Sequence, residues 1–342
     1  MRLAVVLFNL GGPDSLDAVE PFLRNLFGDP AILSLPGVVR IPLARFIASR
    51  RAPFARDIYR KIGGRSPLID ETKAQAEALD KVLANRGLDA KCFVAMRCWH
   101  PFSDEVARVV KAWGADAIVL LPLYPQFSTT TSASSFADWA RAARDVGLIV
   151  PTARLCCYPK MEGFVAAVAE LIHQTFTRAK LGVDYRLLLS AHGLPKRTIA
   201  KGDPYQWQVE QTAATLVDAL GIKGLDWQVC YQSRVGPLEW IGPATDAEIR
   251  RAGKDGKGVI VAPIAFVSEH AETLVELDME YAHLAQASGV VDYLRVPTVS
   301  THPKFIAALA DLVMSANKGG MIASGSGVRL CPDSFATCPY RK

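Results

Sequence analysis

The chain is short of several features that would place it in a functional class. No apolar run approaches the ~18 residues that cross a bilayer, although mean hydropathy is +0.15. There is no G-x-G-x-x-G turn and no Walker loop, so a nucleotide site is poorly supported. The net charge of +5 is too mild to argue for nucleic acid. The cysteines number seven, an odd set that fits reduced thiols better than a disulfide framework. The opening MRLAVVLFNLGGPD has too short an apolar part for a signal peptide and lacks a small-x-small cleavage site. It reads as a first strand, and the protein as cytoplasmic by default.

What is present is material for a large core. Of 342 residues, 50% are hydrophobic and 21% charged, which suits two domains better than one or three. Strand candidates fall at 3–9, 92–96, 117–123, 186–191, 259–265 and 293–296. Helical periods appear at 15–27, 70–86, 103–113, 134–146, 161–179, 204–220, 268–287 and 303–317. Continuous apolar strands alternating with amphipathic helices indicate parallel sheets covered on both faces. The expected class is α/β with two doubly wound units. VLLPLYPQFS (119–128) echoes IVAPIAFVSE (260–269), and NLGGP (9–13) echoes SAHGLP (190–195). Two similar halves would meet near residue 150. Ligands bind beyond the carboxyl ends of such strands, so the polar strand exits point at one cleft.

Several stretches carry candidate chemistry. In PIAFVSEHAETLVELD (263–278) and just beyond it, a helix would align Glu269, Glu272, Glu276 and Glu280. Like charges at these spacings disfavour an isolated helix. The helix dipole accounts for the first carboxylates only. The stripe suits a path for protons or a divalent cation, with His270 off the stripe; an acidic helix start is the plain alternative. His192 ends an apolar strand, where an imidazole can bind metal or take a proton near neutrality; a lone strand-end histidine is more often structural. Tyr124, Phe127, Trp240 and Phe266 lie near strand exits, suited to stacking on a planar ligand or simply to packing. YQSRVGPLEWIGP (231–243) has the irregular composition of a binding loop. Arg97 in MRCWHP can pair with a ligand carboxylate, and His100 reads as a cap. Finally, residues 40–65 hold seven arginines and Lys61 against Asp57 alone, preceded by Ile32, Leu33, Leu35, Val38 and Val39. This suits contact with anionic lipid; the alternative is a helical hairpin with a solvated face.

Together, NLGGP, FIASRRAP…YRKIGGRSP, MRCWHP, LYPQFSTTTSASS, LSAHGLP, KGDPY, YQSRVGPLEW and PIAFVSEHAETLVELD resemble the ferrochelatases, over about residues 3 to 318. The resemblance implies two Rossmann-like domains with a pseudo-twofold, chelatase-like relation and a porphyrin cleft between them. Residues 1–150 would form the first, with a porphyrin lip near 30–65, residues 151–318 the second, and 319–342 a cysteine-containing tail. The implied reaction inserts Fe2+ into protoporphyrin IX, releasing two protons, as the terminal step of haem synthesis. His192, Glu272 and His270 match the catalytic positions, with His192 as base. Glu272 would face it across the cleft as iron ligand or proton acceptor. Glu276 and Glu280 match the proton or metal path. Leu10, Arg97, Tyr124, Ser128, Trp240 and Phe266 match porphyrin-binding positions. The lip implies peripheral contact with the inner face of the cell membrane.

Two positions depart from the family pattern. Leu10 stands where some members have methionine or tyrosine, so no ligand role exists there. Animal members carry a [2Fe–2S] cluster, but Thr129 stands at their internal ligand position and the tail offers only Cys331 and Cys338. Cys156 or Cys157 would have to complete the set; free thiols or a tail zinc site are the alternatives. Rival functions are coproporphyrin ferrochelatase, a cobalt or nickel chelatase, and a non-catalytic tetrapyrrole carrier. The acidic stripe counts against the carrier. Oligomeric state is left open.

Overall fold

The structure, a computed structural model, describes residues 1–234, 236, 238–318 and 322–340. The chain divides into two compact units. The first holds Met1–Cys157, Leu309–Val328 and Pro339–Lys342, the second Tyr158–Ala308 and Arg329–Cys338.

The first unit begins with β1 (Leu3–Asn9), whose seven residues are all buried. Three helices follow: α1 (Val19–Gly28), α2 (Gly37–Arg60) and α3 (Leu68–Asn85). Then come β2 (Ala90–Met96), α4 (Ser103–Trp113), β3 (Ala117–Pro122), α5 (Ser132–Asp145) and β4 (Thr152–Leu155). The strands run parallel in the order β2–β1–β3–β4, extended by the two-residue β9 (Ile322–Ala323). Burial on both faces explains their unbroken apolar character.

The second unit repeats the plan with α6 (Glu162–Phe176), β5 (Tyr185–His192), α7 (Lys196–Ala200), α8 (Tyr205–Leu220), β6 (Asp226–Gln232), α9 (Thr245–Lys254) and β7 (Gly258–Pro263). After a π-helical segment, Glu272–Glu280, come α10 (Tyr281–Ala287) and β8 (Tyr293–Arg295); α11 (Pro303–Lys318) runs across the division between units. The sheet order is β6–β5–β7–β8, again all parallel. Both sheets therefore share one doubly wound order, with a switch point between the first and third strands of each. The registers match as well. Phe8 pairs with Pro122 in the first sheet and Ser190 with Pro263 in the second.

Some elements differ from expectation. β4 and β6 escaped pattern reading because both are polar and partly exposed. Helix α2 is one helix and not a hairpin although it contains Pro42 and Pro53, and it is seated on Ala44, Ala48 and Ala52. A boundary at 150 would split β4 from its partner β3, and the first unit runs on to Cys157. The tail is not a separate piece, because its residues are shared between the units.

Candidate active site

The second switch point collects the strongest chemistry. His192 is the last residue of β5. Gly193 follows because nothing larger fits: a Cβ there would lie 2.9 Å from the Gln232 carbonyl oxygen. The Tyr205 hydroxyl, at the start of α8, donates to the His192 carbonyl at 3.0 Å. Asp203 caps that helix start by accepting the Tyr205 N–H, which gives KGDPY a structural purpose.

His192 Nδ1–H donates to Glu272 Oε2 at 2.9 Å. The two side chains are 37% and 31% exposed, so the pair sits at a surface that a substrate can reach. They do not face each other across a gap, as the resemblance implied; they touch within one unit. Burial alone would lower the imidazole, but the Glu272 carboxylate, aided by Glu276, holds it above its usual range. Burial alone would raise Glu272, but His192, with help from His270, holds it well below the carboxylate range. Both shifts describe one imidazolium–carboxylate pair.

His270 Nδ1–H donates to the Ser268 carbonyl at 3.0 Å, which leaves Nε2 facing Glu272 Oε2 at 3.7 Å. Phe266 lies between the two histidines, with ring centroids 6.5 Å from His192 and 4.6 Å from His270. Trp240, on the loop after β6, closes against Gly193. Among the described residues no group of three or more His, Cys, Asp or Glu is placed to hold a metal ion.

The acidic stripe is real but differently wound. Residues Glu272–Glu280 form a π-helix, whose i→i+5 bonding is rare and frequent at functional sites. Carboxylates four residues apart stay on one side of this wider turn. Glu272 is part-buried at the strand ends, Glu276 comes next, and Glu280 is exposed at the far end. Glu269 leaves the stripe: it binds Arg295 at 2.6 Å and the Thr298 N–H at 2.9 Å.

The first unit's candidates are mostly occupied by their neighbours. Arg97 binds Asp29 at 2.9 Å and Ser134 at 2.7 Å, so its fork is largely used. The Ser128 hydroxyl is buried and engages Thr130. Tyr124 packs against the core and Phe127 packs beside Cys156 and Cys157. Leu10 lies in the cluster under α1 and α2 with Trp99. His100 meets the Glu105 side chain at 2.9 Å; it is Glu105 that caps α4, by accepting the Phe102 N–H at 2.7 Å, and not His100 itself.

A model of the ferrochelatase family matches residues 2–317. The chain belongs to the ferrochelatase family. The ferrochelatase of Phenylobacterium zucineum (strain HLK1) is 54% identical over 344 residues, spanning 100% of this chain and 98% of its own. That of Caulobacter vibrioides (strain NA1000 / CB15N) is 52% identical over 345 residues, with the same coverage. That of Pelagibacter ubique (strain HTCC1062) is 46% identical, spanning 99% of this chain and 98% of its own. Among solved structures, the sirohydrochlorin chelatase SirB from Bacillus subtilis subspecies spizizenii, in complex with cobalt, aligns with a TM-score of 0.53. It has 11% identity over 93% of this chain and 96% of that one. SirB from Bacillus subtilis with Fe3+ gives 0.50, at 14% identity over 92% and 96%. These likenesses are of fold. Ferrochelatases are metal-chelating lyases, and this member carries their motifs on a two-sheet chelatase framework.

Sequence reading missed four residues of this site: Tyr205, Gln232, Ser233 and Tyr281. The first three make their contacts 13, 44 and 43 residues away, and Tyr281 reaches Glu276 by the five-residue step of the π-helical winding, which an α-helical pattern does not mark. Residues 30–65 form α2 and its flanking turns. Val38, Phe46 and Phe54 on it are exposed, at 85%, 58% and 61%. Arg40 and Arg56 turn back to backbone carbonyls. Among the described residues no helix is long and apolar enough to cross a membrane.

Proposed function

We infer that this chain works as a ferrochelatase, inserting Fe2+ into protoporphyrin with release of two protons, in haem synthesis. The observation that carries the chemistry is the His192–Glu272 hydrogen bond at the second switch point. Metallation exchanges two pyrrole N–H protons for iron. With Nδ1–H committed to Glu272, His192 Nε2 is the atom that takes a pyrrole proton, and the carboxylate stabilises the imidazolium that results. Glu272 is the proposed first ligand for the incoming iron. Carboxylate and imidazole suit ferrous iron without trapping it as thiolates would. Protons leave along Glu276 and Glu280. Leu10, Arg97, Tyr124, Ser128, Trp240 and Phe266 are the proposed ring contacts. A site that binds a bent macrocycle better than a flat one exposes the nitrogen lone pairs and favours the transition state.

Anaerobic metallation of protoporphyrin with Fe2+ tests the reaction. His192→Ala is expected to abolish iron insertion while porphyrin still binds, read by fluorescence quenching; near-wild-type turnover in that variant refutes the base assignment. Turnover of coproporphyrin in preference to protoporphyrin would move the chain to the coproporphyrin branch.

Two finer proposals accompany this one. Helix α2 is proposed to rest on anionic lipid at the membrane's inner face through its exposed apolar and basic residues. Cys156, Cys157, Cys331 and Cys338 are the proposed donors for a [2Fe–2S] cluster, which needs four ligands and would supply a redox-sensitive group. All four are buried, and the Cys156 and Cys157 sulfurs lie 3.5 Å apart, close enough to serve one iron. Anaerobically purified protein decides: a brown colour with matching iron and sulfide supports the cluster, and colourless protein leaves four buried thiols.

A further inference from the structure

We propose that Ser190, Gln232 and Ser233 are positioning residues for Glu276, holding its carboxylate so that it can gain and lose a proton without moving. The proposal rests on the reading of Glu276 as a station on the proton path.

Glu276 receives four hydrogen bonds. Oε1 accepts the Ser233 N–H at 2.8 Å and the Tyr281 hydroxyl at 2.9 Å. Oε2 accepts the Gln232 amide at 3.2 Å and the Ser233 hydroxyl at 2.5 Å. Each oxygen thus has one partner that can only donate and one hydroxyl that can donate or accept. An ionised Glu276 accepts from all four. A protonated Glu276 donates to one hydroxyl, which turns its own O–H away, while both fixed donors keep their places.

The fixed donors are themselves locked. Ser190 donates to Gln232 Oε1 at 2.8 Å and lies 3.1 Å from Thr245 Oγ1, all three side chains buried. With its oxygen held, Gln232 must present nitrogen to Glu276. Ser233 has φ +61°, a left-handed conformation uncommon for a residue with a side chain. That turn sends both its N–H and its hydroxyl to the same carboxylate. Strain of this kind persists where the surroundings enforce it, often at functional sites. Burial and the Glu272 carboxylate raise Glu276 above its usual range, so a proton is more readily held there. The other ionisable groups acting on it are His192 from β5, Tyr281 from α10 and Tyr293 from β8.

The test compares Ser190→Ala, which frees the Gln232 amide to turn over, with Ser233→Gly, which suits the positive φ and keeps the N–H. Rates are measured across pH at saturating porphyrin, with melting temperature and porphyrin affinity alongside. The expected result is a loss in kcat on the order of tenfold, as for outer partners of metal ligands, with KM unchanged. The pH profile gains a second step on the acid side of the limb set by His192, because a carboxylate that loses donors holds its proton to higher pH. Ser190→Cys, which keeps a weak donor, recovers part of the rate. A wild-type rate in Glu276→Gln overturns the proton-path reading, and this proposal with it. A slow Glu276→Gln beside wild-type rates and pH profiles in Ser190→Ala and Ser233→Gly overturns the positioning assignment alone. A lowered melting temperature with an unmoved pH profile also overturns it, leaving a structural role. Should Ser190→Ala not fold, Ser233→Gly decides by itself.

Discussion

At the scale of single residues, His192 and Glu272 act as one unit with two titrations. Glu272 is depressed below its usual 4.5, so its contribution to stability is present above that value and is lost as pH falls through its folded value. His192 is raised above 6.5, so its contribution is present below 6.5 and is lost as pH rises through its folded value. The pair is therefore fully stabilising between about 4.5 and 6.5 and weakens on either side, modestly because both groups are part-exposed. Activity runs the other way. The base must be neutral, so the rate of metallation is expected to rise with pH through a value above 6.5. In Glu272→Gln the imidazolium loses its counter-charge and burial then dominates. Its ascending limb is expected at more acid pH, with a lower limiting rate, measured as initial metallation rate against pH. An unmoved limb would show that His192 is not the titrating base.

At the scale of elements, the site depends on how strands end. Gly193 lets the chain leave β5 against β6, and Gly193→Ala would force the Gln232 carbonyl to shift. The expected cost is about 1–3 kcal/mol, typical of overpacking, seen as a lowered melting temperature together with slowed metallation, since Gln232 supports Glu276. His192, Glu272 and the acidic stripe were legible because apolar strands announce their ends and carboxylates at fixed spacing stand out. The supports were not. Ser233 contacts Glu276 from 43 residues away, and its positive φ leaves no mark in YQSRVGP. Nor does composition distinguish π-helical from α-helical winding over ETLVELDME. Helix α2 was read as at most a hairpin, although Ala44, Ala48 and Ala52 already carried the four-residue period of one packed face.

For the molecule as a whole, mild positive charge is concentrated rather than spread. Residues 40–65 carry eight of the 39 basic groups, six of them on a helix that also exposes Val38, Phe46 and Phe54. Apolar insertion and charge attraction reinforce each other at an anionic surface. Co-sedimentation with vesicles containing anionic lipid is expected to retain the wild type at low salt, and to release it on Phe46→Ser with Phe54→Ser. Equal recovery with neutral and anionic vesicles would reject the lipid contact.

The matched registers of the two sheets have a consequence for ancestry. Two residues beyond the paired positions Phe8 and Ser190, the first unit has Leu10, just past the end of β1, and the second has His192, the last residue of β5. The same architectural slot is thus filled once by an inert side chain and once by a base. One plan used twice in a chain does not oblige both copies to react. A single copy can keep the acid–base groups while its sibling is free to drift toward grip, and an asymmetric reaction can then be run on a duplicated frame.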